Sequence, residues 1–105
     1  MDNTLRLKFT SGGLSLKDYT SLDISRHDGQ EHITLTNATQ DLAFNRVYNN
    51  IQKKAGNQQS FQITVKRGKG KIIFDNMTVA YYLNADCEML TFSKRIVEPT
   101  ENQNS

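Results

Sequence analysis

The sequence predicts a mainly β (α+β) fold: an antiparallel barrel or curved sheet of six to seven strands, with one helix over about residues 40–54 packed on it. Three observations carry this. Short runs such as Leu5, Leu7, Phe9 and Phe61, Ile63, Val65 alternate apolar with polar residues, the period-2 pattern of half-buried strands. Glycine-containing turn signals punctuate those runs. Only one segment, with Phe44, Val47, Tyr48 and Ile51 at i, i+3, i+4 and i+7, has the spacing of an amphipathic helix. The chain of 105 residues is 36% hydrophobic and 23% charged, which suits one domain with one modest core. That domain is expected over 1–97, followed by a polar tail over 98–105.

Taken in order, Leu5–Phe9 reads as a strand ended by Ser11-Gly12-Gly13. Leu14 and Leu16 follow, and the parity slips before Tyr19, so irregular chain is expected near Lys17-Asp18. Asp28-Gly29 favours a two-residue type I′ turn, which needs positive φ at both central positions. That turn makes paired residue numbers sum to 57: Ile24 faces Ile33, Leu22 faces Leu35, and Arg26 faces Glu31 as an opposite-charge pair. The helix has Thr39 as its expected N-cap, Asp41 at its positive end, Lys53 and Lys54 at its negative end and Gly56 as a C′ cap. Phe61–Val65 enters the turn Lys66–Lys71. Centred on Gly68-Lys69, that turn pairs Val65 with Ile72 and Ile63 with Phe74. Core parity then switches from even to odd before Met77, Val79, Tyr81 and Leu83, which requires a bulge near Asp75-Asn76. The last hairpin, turning through Ala85–Glu88, is expected to set Leu83 opposite Leu90 and Tyr81 opposite Phe92, with Ile96 completing the strand.

The composition excludes several chemistries. One cysteine, Cys87, cannot form an internal disulfide or a multi-cysteine metal site. It lies between Asp86 and Glu88, whose negative charges disfavour a thiolate. His27 and His32 flank the first turn and are taken to lie on opposite faces, which argues against a shared metal. Carboxylate pairs such as Asp86 with Glu88 read as solvated turn residues. No enzyme, cofactor or metal site is therefore expected. Neither a membrane span nor a secretory signal is read, which points to a cytoplasmic protein.

The net charge is +2, but residues 50–75 sum to +5 and the remainder to −3. The run Lys66, Arg67, Lys69, Lys71 reads either as a basic finger that meets phosphates by charge or as a solvated hairpin guarded against edge association. Lys53 and Lys54 join the finger if the helix end lies on the same side. Apolar residues occupy both faces of the strands over 72–83. Either the sheet closes on itself or a second chain covers it. Phe74, Ala80 and Tyr82 are the candidate subunit contacts, with 10–21 as a possible arm.

The segment Gly70-Lys71-Ile72-Ile73-Phe74-Asp75-Asn76-Met77-Thr78-Val79, with Leu83-Asn84-Ala85-Asp86 and Leu90-Thr91-Phe92-Ser93-Lys94-Arg95-Ile96, resembles the closing strands of bacteriophage tail tube proteins and related secretion-system tube proteins. The resemblance covers residues 70–96. It implies a β-barrel with a flanking helix that assembles edge to edge into rings, without catalytic residues, and a virion location. The expected function is thus a non-enzymatic structural or assembly subunit with a homo-oligomeric or other protein partner. The alternatives are a small nucleic-acid-binding protein using the basic hairpin, and a mobile-element inhibitor or regulatory module.

Overall fold

The computed structural model describes residues 3–39 and 41–95. They form seven antiparallel strands and one helix: β1 (Asn3–Phe9), β2 (Gly12–Leu16), β3 (Ser21–His27), β4 (Gln30–Asn37), α1 (Ala43–Ala55), β5 (Phe61–Arg67), β6 (Gly70–Leu83) and β7 (Glu88–Lys94). All strands belong to one sheet in the order β2-β1-β5-β6-β7-β4-β3. The fold is mainly β, as the alternation predicts. The sheet is curved and, among the described residues, open rather than closed into a barrel. Ile96 and the segment 98–105 lie outside the described residues.

The curvature follows from the connections. Strands β2 and β3 occupy opposite edges, yet only Lys17–Thr20 joins them. Leu16 and Ser21 therefore lie at most about 18 Å apart, whereas a flat seven-stranded sheet would be about 29 Å wide. The sheet must roll. Its inner face becomes the core: Leu5, Leu7, Ile33, Leu35, Ile63, Val65, Phe74, Leu90 and Phe92 are fully buried there. Phe61 meets Phe92 edge-on at 6.3 Å between ring centroids. From edge strand β3, Arg26 reaches across to the other half of the sheet. Its guanidinium lies 4.7 Å from the Phe74 ring centroid, and Nη2 donates to the Ile73 carbonyl at 3.4 Å. Helix α1 lays Phe44 and Ile51 onto the same core.

The bend is built at Asn76. Strand β6 pairs with β5 through Ile72↔Val65 and Phe74↔Ile63, then shifts register to Met77↔Phe61. The extra residue is the expected bulge near Asp75-Asn76. Asn76 adopts φ 61°, a left-handed conformation that asparagine tolerates better than most residues. Its Nδ2 donates to the Arg95 carbonyl at 2.9 Å, and its Oδ1 accepts from the Ser60 hydroxyl. The Arg95 N–H donates to the Asn76 carbonyl at 2.7 Å.

Two of the three hairpins named by the sequence, those turning at Asp28-Gly29 and Gly68-Lys69, form in the expected register. Asp28 and Gly29 have φ 56° and 77°, and Ile24↔Ile33, Leu22↔Leu35 and Arg26↔Glu31 pair. Arg26 Nε and Glu31 Oε2 are 2.8 Å apart. Gly68 has φ 58° in the β5–β6 turn. Irregular chain does occupy Lys17–Thr20.

Five expectations are corrected. First, Gly12 and Gly13 do not end a strand region but open β2, which pairs with β1 through Phe9↔Gly12 and Lys8↔Gly13. The turn is Thr10-Ser11, and residues 12–16 of the supposed arm 10–21 are this edge strand. Second, the helix starts at Ala43, with Leu42 at the N-cap in a left-handed conformation (φ 62°) and no side-chain cap bond. Thr39 bonds Asn37 instead. Asp41 takes up the first helical N–H, accepting from Ala43 at 3.1 Å; that bond, then one from Asn37, holds its carboxyl below the usual carboxylate range. Third, the last hairpin is shifted by two: Leu83 faces Glu88, Tyr81 faces Leu90 and Val79 faces Phe92. A shift of two preserves the faces.

The shift brings in the fourth correction. Glu88 is no solvated turn residue but fully buried. Its carboxylate accepts from the Asn45 backbone N–H at 3.1 Å, the Tyr81 hydroxyl at 2.9 Å and Asn37 Nδ2 at 3.0 Å. A remote strand residue thus satisfies an orphan donor in the first turn of α1, which its own N-cap does not do. Burial, and then the adjoining Glu88 carboxylate, push the Tyr81 phenol above its ordinary value. Fifth, His27↔Gln30 and Ser25↔His32 pair, so both histidines share one face. Among the described residues no group of three potential ligands surrounds them.

Asn76→Ala places a Cβ residue without local hydrogen bonding in the left-handed region and removes two side-chain bonds. It is expected to cost about 2–4 kcal/mol. Asn76→Gly keeps the backbone and should cost about 1 kcal/mol less. Urea denaturation of both variants measures the difference; equal losses would show that the bulge conformation is not what Asn76 supplies.

Candidate functional site

Rolling the sheet leaves an outer face, and its two halves differ. On the second half of β6 and on β7, β4 and β3 the outward rows are Tyr82, Met89, Thr36 and Ser21; Ala80, Thr91, Thr34 and Asp23; and Thr78, Ser93, His32 and Ser25. In the last row His32 Nδ1 and Ser93 Oγ are 3.1 Å apart. Among the described residues no carboxylate bonds the other ring nitrogen to orient the imidazole as a base.

On β1, β5 and β6 the outward face is basic. Register places Lys66 between Thr4 and Lys71, Arg6 between Ser15 and Thr64, and Lys8 between Gly13 and Gln62. Rows on one face are about 7 Å apart, so Lys8, Arg6 and Lys66 step along the sheet at that interval. All four cations are exposed. Arg67 and Lys69 extend the charge around the β5–β6 turn. None of the six forms an ion pair with a described carboxylate; the recorded pairs involve Arg26, His27 and Lys94. Asp75, the acid among the described residues of this face, accepts from Gln62 Nε2 at 2.8 Å. Lys66 and Lys71 stand directly opposite each other, an arrangement that costs stability.

Beside this face lies a groove of ≈ 540 Å³, walled by Arg6, Lys8, Gln62 and Thr64 and floored by Gly12 and Gly13. On this face the floor is bare at Gly13, which stands opposite Lys8 and carries no side chain. A Cβ on Gly13 would lie 3.3 Å from the Leu7 carbonyl oxygen, so close strand pairing favours glycine there.

The sequence-named residues distribute unevenly over this surface. Lys66 and Lys71 belong to it and Lys69 lies in the turn between them, whereas Arg67 has the parity of inward-facing Val65 and acts on Tyr19. Lys53 and Lys54 do not join the basic turn: the Lys54 carbonyl accepts from Ser11 Oγ at 2.8 Å, at the Phe9 end of β1, whereas that turn adjoins Asn3 at the other end. The length of β5, on the order of 20 Å, separates them. Phe74 is fully buried and is a core residue, unavailable to a subunit. Ala80 and Tyr82 do face outward, and Tyr82 is 53% exposed, whereas Tyr81 points inward against Tyr48 at 5.9 Å. Ile73, 45% exposed, lies next to Thr64 on the basic face. Cys87 carries a free thiol within 3.9 Å of Asn84 Nδ2. Arg6 and Lys8 went unnamed as site residues; their signal is the alternation Leu5-Arg6-Leu7-Lys8-Phe9, which sends both cations to one face.

Comparisons with protein-family models, curated proteins and solved structures found no match to this chain. Among the described residues no helix is long and apolar enough to cross a membrane.

If the Lys66–Lys71 pair is held at a cost, relieving it stabilises the fold. Lys71→Thr is expected to add about 0.2–1 kcal/mol to unfolding stability, read from the urea midpoint at low salt. The gain should shrink in high salt as the repulsion is screened.

Proposed function

We propose that this protein binds nucleic acid through the basic outer face of β1, β5 and β6. The observation that supports the reading is the gathering of Arg6, Lys8, Lys66 and Lys71 on one face without described carboxylate partners, two of them directly opposed. Mutual repulsion at an exposed surface is relieved when phosphates lie across it. The mechanism is non-catalytic: side chains of neighbouring strands neutralise successive phosphates and release condensed counterions. Four such contacts on a duplex give a slope of log K against log salt of about −3 to −4. The Lys66→Ala, Lys71→Ala double variant should reduce that slope by about 2, while Lys53→Ala, Lys54→Ala leaves it unchanged. Fluorescence anisotropy over a salt series measures both. No binding at low salt, binding indifferent to salt, or capture only by anionic lipid vesicles would remove this reading.

A second reading, self-association as a tube-like assembly subunit, is favoured by edge strand β2. Its sequence Gly12-Gly13-Leu14-Ser15-Leu16 carries no charge, proline or bulge, the usual guards of an open edge. Tyr82 and Leu83, 53% and 54% exposed, offer apolar area on another part of the molecule. Mass photometry and light scattering at rising concentration are expected to show oligomers under this reading; a strict monomer at high concentration would count against it.

A further inference from the structure

We infer that the groove over Gly12 and Gly13 is a nucleobase subsite, and that the nucleic acid this protein takes is single-stranded. The inference rests on the proposed binding role of the basic face and adds the class of strand. The groove and the cations are not separate features: Arg6 and Lys8 are at once members of the cationic rows and walls of the groove. A backbone held by Lys66, Arg6 and Lys8 therefore runs past its mouth.

The groove's size falls within the range of about 300–1,000 Å³ typical of small-molecule sites. Its chemistry suits a base. On the outer face Gly13 stands opposite Lys8 with no side chain, so peptide backbone is open to a ring there. Thr64 offers a hydroxyl that both donates and accepts, and the Arg6 guanidinium is a plane on which a ring can stack. A paired base in a duplex is stacked inside the helix and cannot enter such a groove without being extruded, at an energetic cost. An unpaired base enters without that cost. Phosphates alone would need only the cations and would leave the groove unused.

The test compares three probes of equal length by fluorescence anisotropy at one salt concentration: a single-stranded oligonucleotide, the same strand made abasic, and its duplex. The wild-type protein is expected to bind the single strand at least about fivefold tighter than the abasic strand, the lower end of what one seated base contributes. It should also bind the single strand tighter than the duplex. Thr64→Leu, an outward substitution on β5 that fills the groove and leaves every cation in place, is expected to reduce the single-strand advantage to less than about twofold without weakening abasic binding. Circular dichroism confirms that the variant keeps its sheet. Equal wild-type affinity for normal and abasic strands, or preference for the duplex, would overturn the nucleobase subsite while leaving the basic-face reading intact. An advantage that survives Thr64→Leu would also overturn it, since the base would then be read elsewhere. Failure of all three probes to bind would instead remove the underlying reading.

Discussion

The four residues Lys17–Thr20 constrain this molecule more than any other segment. They tie the two edges of a seven-stranded sheet together, and a link that short forces the sheet to roll. Rolling needs a place to bend, and β6 supplies it. Asn76 takes a left-handed conformation, inserts one residue opposite β5, and lets the same strand pair with β5 before the bulge and β7 after it. The change of parity that makes β6 look apolar on both faces is the sequence trace of this bend. Ile72 and Phe74 face inward before it, Met77, Val79 and Tyr81 after it. Much of the apolar surface that suggested a missing layer is therefore covered within one chain, leaving Ile73, Tyr82 and Leu83 exposed.

A sheet rolled around its own core has one face committed to packing. Function is left to the outer face, the loops and the edges. The outer face is divided by charge: cations gather on β1, β5 and the first half of β6, hydroxyls on β7, β4 and β3. Packing did not require this division, since any polar residue serves on a wet face. Setting Lys66 opposite Lys71 works against stability. A local conflict of this kind, inside a sheet whose turns, bulge and core agree with one another, is where a functional demand is expected to show.

Local signals were legible in the sequence. Asp28-Gly29 and Gly68-Lys69 set the register of two hairpins because turn geometry and residue type act within a few positions. The bulge at Asn76 was legible because a bulge must flip parity. Long-range effects were not. Nothing near Glu88 says that its carboxylate is buried against the start of a helix 43 residues earlier, and that bond, with those from Tyr81 and Asn37, goes with a last hairpin shifted two residues from the register its turn suggested. The same burial explains why Thr39 was misread as the cap: an N-cap is recognised by its own side chain, and here the service comes from Asp41 and from another strand. The basic site was half legible. Lys66–Lys71 is a run and stands out. Arg6 and Lys8 lie some 60 residues away and join it only through the pairing of β1 with β5. Lys53 and Lys54, nearer in sequence, lie at the far end of that strand.

The two functional readings use different atoms of the same region. A second copy pairing along β2 would engage backbone N–H and C=O groups in the plane of the sheet. A nucleic-acid strand would engage Arg6, Lys8 and Lys66, which stand perpendicular to it. Neither contact blocks the other by geometry, but charge couples them. Joining two copies edge to edge brings two cationic faces together, so added salt favours the pairing by screening repulsion. Added salt weakens the grip on phosphates by removing the gain from counterion release. The two processes therefore respond to ionic strength with opposite sign. A bound strand, by neutralising both faces, would relieve the repulsion and draw copies together along it. Under the two proposed readings, assembly and nucleic-acid binding would be linked through the cations of β1 rather than compete for them.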